Sequence, residues 1–189
     1  MNLGLTILFT VGKLLALTTI TCGAAGNTQH NSTQHHSDYA GEETRKIKSL
    51  SNDDMEQLNQ GQGWGMAKVA ELNGMPGPVH LLQLKNEIKL TAGQISQLET
   101  LFTHMKQQAI PLGKKLINLE AMLNNEFANR TVNNKSLKKI VDEIASTRSK
   151  LRFTHLATHL KTPDVLTPLQ IQRYNTLRGY NTSTPSKQF

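Results

Sequence analysis

From residue 95 to residue 123 the apolar side chains Ile95, Leu98, Phe102, Met105, Ala109, Leu112, Leu116, Leu119 and Leu123 recur at steps of three and four. Only an α-helix returns side chains to one face at that spacing, so the stretch predicts a long amphipathic helix with a stripe to bury. Leu90, Thr91 and Gln94 mark its start: the threonine hydroxyl can cap the third helical amide while the glutamine reaches back to the threonine amide. Pro111 lies within the stripe, which continues past it, so a bend is expected there and not an end. After a polar turn over about 128–134, a second long helix is expected over about 135–161. It carries Leu137, Ile140, Val141, Ile144, Leu151 and His155 on one face and stops at Thr162-Pro163. The fold class expected is all-α, a long kinked antiparallel helical hairpin.

Shorter helices flank it. Ser51 and Asp54 form a capping signature for a helix to about residue 60, and GQGWG then breaks it. No strand precedes those glycines and the third glycine of a phosphate-binding turn is missing, so they read as a helix–helix turn. Further short helices are expected over about 64–72 and 79–88, separated by Asn73-Gly74 and Pro76-Gly77-Pro78. Leu166, Thr167 and Gln170 repeat the earlier capping box, now with Pro168 at the first helical position, and start a last helix that ends at Gly179. The organisation expected is a signal over 1–25, a disordered polar leader over 26–49, a helical domain over 50–180 and a flexible tail over 181–189.

The N-terminal run from Leu3 to Ala25 is apolar or small apart from Lys13 and ends in CGAAG, which reads as an export signal cleaved after Ala24 or Ala25. A retained membrane anchor and a lipid-modified Cys22 are the alternatives, the latter without the usual leucine three residues upstream. Cys22 is the only cysteine, so an exported domain has no disulfide and must be held by helix packing or assembly. In the leader, His30, His35 and His36 read as polar filler or weak metal ligands.

The net charge of +7 is concentrated between residues 130 and 161, where eight Lys or Arg face only Asp142 and Glu143. Phe153 is the only aromatic residue within this charged segment and no docking motif accompanies it, which argues against a nucleic-acid partner. Lys135, Lys138, Lys139, Arg148, Lys150 and Arg152 are either a solvated face, supported by Lys138–Asp142 and Lys139–Glu143 pairs, or a surface for acidic or unfolded partners. With no H-E-x-x-H, no nucleophile elbow and no phosphate loop, an enzyme is not expected.

His155 and His159 stand one helical turn apart. A hairpin turn centred near Thr131 would bring His104 to their level, and His80 precedes the hairpin at the same end. Neutral imidazoles at that spacing suit zinc, copper or nickel, with Met105 or Glu99 as further donors, so His80, His104, His155 and His159 are the candidate metal ligands. In the opposing reading no cofactor is required: His155 is a packing residue in the stripe, and His104 lies about 100° off the stripe of its own helix.

Two Leu-Thr-x-x-Gln boxes flanking a helical hairpin after an export signal resemble the Spy and CpxP family of periplasmic proteins, over about residues 39–180. The segment from Ala70 to His80, the first box and the run from His155 to Tyr180 carry the likeness. The resemblance implies a homodimeric, cradle-shaped, all-helical protein. Its relatives are ATP-independent chaperones for unfolded envelope proteins, accessory regulators of a membrane signalling partner, or heavy-metal sensors.

Overall fold

The computed structural model describes residues 37–180; the expected signal with Cys22, the leader histidines and the tail from 181 lie outside them. Among the described residues the fold is all-α, with helices α1 (Asn52–Asn59), α2 (Lys68–Leu72), α3 (Pro78–Gln83), α4 (Ala92–Ala128), α5 (Asn134–His159) and α6 (Pro168–Leu177). Four of them open with a reciprocal capping box, on Ser51, Thr91, Asn133 and Thr167. Each box satisfies amides that a helix start otherwise leaves unpaired, which is why the starts fall where small polar residues stand.

α4 and α5 lie against each other in opposite directions. Near the turn, Ser136 Oγ donates to Glu126 at 2.7 Å; further along, Arg148 stands 3.6 Å from Glu120. Between them Leu116 and Leu119 of α4 meet Ile140, Ile144 and Leu151 of α5 in one apolar cluster, which Leu58 of α1 completes. At the opposite end Leu98 packs with Leu81, Ile88, Leu166 and Tyr174, so α3 and α6 close the second core. α4 runs unbroken through Pro111, although proline offers no amide to the carbonyl of Gln107. α1 crosses α4 at Gly113, where an added Cβ would lie 2.1 Å from the Leu58 carbonyl oxygen.

The two Leu-Thr-x-x-Gln boxes meet. Gln94 Nε2 donates to Gln170 Oε1 at 2.8 Å, and Gln170 Nε2 returns a bond to Gln94 Oε1 at 3.0 Å. Each glutamine also reaches the carbonyl two residues before the other threonine: Gln94 to Val165 at 2.8 Å and Gln170 to Lys89 at 3.2 Å. Leu90 and Leu166 pack into the second core beside this pair.

Several expectations need correction. The leader does not extend to residue 49: Ile47 is buried against the hairpin beside Leu50, the first residue of the expected domain, and Ser49 Oγ donates to Glu120 at 2.8 Å. Two apolar residues three apart in a short polar stretch are too few to establish a period, so the segment reads as loop until the surface it covers is known. α2 begins at Lys68, not near Trp64, because Trp64 and Gly65 both have positive φ. α3 ends at Gln83; the turn that follows carries Ile88 into the core and closes on Lys89 at φ 55°. Val141 is exposed and so lies outside the α5 stripe. None of the helices among the described residues is long and apolar enough to cross a membrane.

Candidate functional site

A cleft of about 630 Å³ opens between the 60–68 loop, the start of α3 and the faces of α4 and α5. Its apolar wall is Ala67, Pro78, Val79, Phe102 and Met105, and Trp64 stands on the loop side. His80, His155, His159 and Glu71 form its polar side, while Lys68 and Lys106 contribute charge.

Glu71 organises that polar side. The 68–74 segment carries it inward from α2, where it is 8% exposed. It accepts from the Tyr174 hydroxyl, from the Gly77 amide at 3.0 Å and from the Tyr180 hydroxyl at 3.2 Å. Arg178 Nε lies 3.8 Å away, His80 Nδ1 3.6 Å and His159 Nδ1 4.0 Å. Burial disfavours the carboxylate, but His80, the Tyr174 hydroxyl and the Gly77 amide outweigh it and hold its pKa down at about 2. In the same contact, burial and the neighbouring carboxylate push the Tyr174 phenol up.

His159 Nδ1 donates to the Met75 carbonyl at 2.8 Å, and the turn below it is fixed by Thr162 Oγ1, which donates to the Pro76 carbonyl at 2.6 Å. Gly77 leaves room for this ring: an added Cβ would fall 2.8 Å from His159 Nε2, so the imidazole would have to shift. His155 is 2% exposed, and burial with His159 beside it lowers its pKa to about 4, so it is neutral at neutral pH. Its Nε2 is buried without a hydrogen-bond partner, whereas His80 Nδ1, also without a hydrogen bond, faces the Glu71 carboxylate.

Of the four candidate metal ligands, three therefore line one cleft, and His104 does not. It is exposed and stands 3.2 Å from the amide of Gln108, as its angular distance from the α4 stripe dictates. Met105 lines the cleft, whereas Glu99 is exposed and does not. Among the described residues no three of the His, Cys, Asp and Glu side chains stand together as a ready-made ligand set.

The basic residues of α5 divide. Lys135, Lys138, Lys139, Lys150 and Arg152 are exposed, and Lys138 pairs with Asp142 at 2.7 Å. Arg148 is exposed too but is engaged by neighbours: its guanidinium lies over the Trp64 ring, 4.9 Å from the centroid, and beside Glu120. Trp64 Nε1 in turn donates to Asp54 at 2.7 Å. Sequence reading missed Glu71 and Trp64 as organising residues. Glu71 has no periodic signature, and its significance appears only when Tyr174, Arg178 and Tyr180 are folded back onto it.

Compared with known protein families, with characterised proteins and with solved structures, the chain matches none.

Proposed function

We propose that the protein is an exported, periplasmic helper of the Spy and CpxP kind, which binds unfolded envelope proteins without ATP and works as a homodimer. The observation that carries this reading is on the outer face of α5. Phe153 is 71% and Leu160 61% exposed, with half-buried Leu156 between them at helical spacing. Exposed Lys150, Arg152 and Lys161 flank the stripe. Large apolar side chains left in water next to positive charge suit a chain that is attracted at a distance and then held by contacts that can repack. The test is suppression of light scattering by a reduced, unfolding client at stoichiometric protein. Wild type is expected to suppress it and Phe153→Ser/Leu160→Ser to lose most of the effect; no suppression by wild type sinks the reading. Sedimentation at micromolar concentration tests the dimer.

A second reading, a heavy-metal sensor for zinc, copper or nickel, is favoured by His80, His155 and His159 lining one cleft. Calorimetric titration with each metal tests it, and equal heats from wild type and His155→Ala/His159→Ala would end it.

A further inference from the structure

We propose that the cleft between the 60–68 loop, α3, α4 and α5 is a binding site for a small amphiphile with a carboxylate head and an apolar body. At about 630 Å³ the cleft falls within the range of about 300–1,000 Å³ typical of small-molecule pockets. Its wall supplies the body's environment: Val79 of α3 and Phe102 and Met105 of α4 line it.

The charges select the head. Lys68 is exposed and Lys106 half-exposed, and neither has an acidic partner within ion-pair distance among the described residues. Lys106 Nζ lies over the Phe102 ring, 5.5 Å from its centroid, so cation and apolar wall are adjacent. Glu71 is the only carboxylate on the lining, and its oxygens are already taken by Tyr174, Tyr180 and Gly77. A cationic ligand would therefore find no free anion, whereas an anionic one finds two free cations. Inside, His155 keeps a buried ring nitrogen, Nε2, with no hydrogen-bond partner. Such an orphan is costly in a finished core and is relieved by a ligand that brings a polar atom.

This site is separate from the α5 face invoked above for clients. Trp64, the only tryptophan in the chain, stands on the cleft's rim and reports on it directly. The experiment titrates the protein with decanoate below its micelle-forming concentration and follows Trp64 fluorescence, with calorimetry on the same samples. Decyltrimethylammonium and decanol serve as probes of opposite and zero charge. Saturable one-site binding of decanoate is expected, with both other probes weaker. Lys68→Glu/Lys106→Glu should weaken decanoate about ten-fold or more, the loss of one to two charge-assisted hydrogen bonds. No saturable signal and no heat, equal binding of decyltrimethylammonium, or unchanged affinity in a variant with wild-type helicity would each overturn the proposal. Client suppression is read in a different assay, so the two readings stand or fall separately.

Discussion

Gln94 and Gln170 exchange two hydrogen bonds across the open end of the hairpin, at 2.8 and 3.0 Å, while each also ties back to its own capping threonine. One glutamine carbonyl thus accepts from the Thr91 amide and the other from the Thr167 amide, both at 2.9 Å. The repeat has a physical purpose beyond starting two helices: the same side chain that completes a cap also joins the start of α4 to the start of α6.

Replacing either glutamine should therefore cost more than an ordinary cap. Gln94→Ala and Gln170→Ala are each expected to lower stability by about 1–2 kcal/mol. Because each variant already breaks the shared bonds, the double variant should cost less than the sum, by about 0.5 kcal/mol or more. Urea unfolding of the four proteins measures this; strict additivity would show that the two boxes act alone.

Gly113 is the second sensitive point. A methyl group there would fall 2.1 Å from a backbone oxygen of Leu58, and backbone cannot swing aside as a long side chain can. Gly113→Ala should destabilise the protein by about 1–3 kcal/mol, the opposite of what alanine does in an ordinary helix interior. A thermal melt at or above wild type would mean that α1 is not seated on α4 as described.

Tyr174 and Glu71 form the third. Tyr174 is fully buried and its hydroxyl donates to the carboxylate, so Tyr174→Phe leaves a buried anion short of one donor while keeping the ring. A loss of about 1–3 kcal/mol is expected, and the acid limb of the stability profile should move to higher pH, because the carboxylate is held less firmly. Chemical denaturation at several pH values reads both effects.

What was legible in the sequence is what repeats. The stripe from Leu98 to Leu119, the threonine caps and the stop at Pro163 are local signals, each enforced within one or two helical turns. The orientation of α5 followed from the short turn, and so did the nearness of His155 and His159 to the start of α3. The hub on Glu71 was not legible, because its partners lie up to 109 residues away in sequence and no period connects them. Ile47 was lost for a similar reason, being an apolar residue in a polar stretch. His104 shows the limit of pairing residues by level alone: the same height on a hairpin says nothing about which way a side chain points.

The last prediction concerns acid. His155 is held at about 4 in the fold against an ordinary 6.5, and the causes are burial and neighbouring His159. Between those values the unfolded chain binds a proton that the folded one refuses, so stability is greatest above the ordinary value and falls as the pH drops toward 4. At about 1.4 kcal/mol per pH unit the full loss is about 3 kcal/mol. Glu71 acts in a lower window with the same sign: its contribution is present above 4.5 and is lost as pH falls through about 2. The two are separable by substitution. His155→Leu removes the titrating ring but keeps an apolar side chain in the stripe, so its stability should change much less than wild type between pH 6.5 and 4.5 while still dropping below that. Urea unfolding at pH 3 reads the Glu71 window, and urea unfolding at pH 7.5, 5.5 and 4.5 reads that of His155. A wild-type protein equally stable at the first and last of these would mean that His155 is not held neutral by burial, and with it would go the orphaned ring nitrogen that the cleft offers to a ligand.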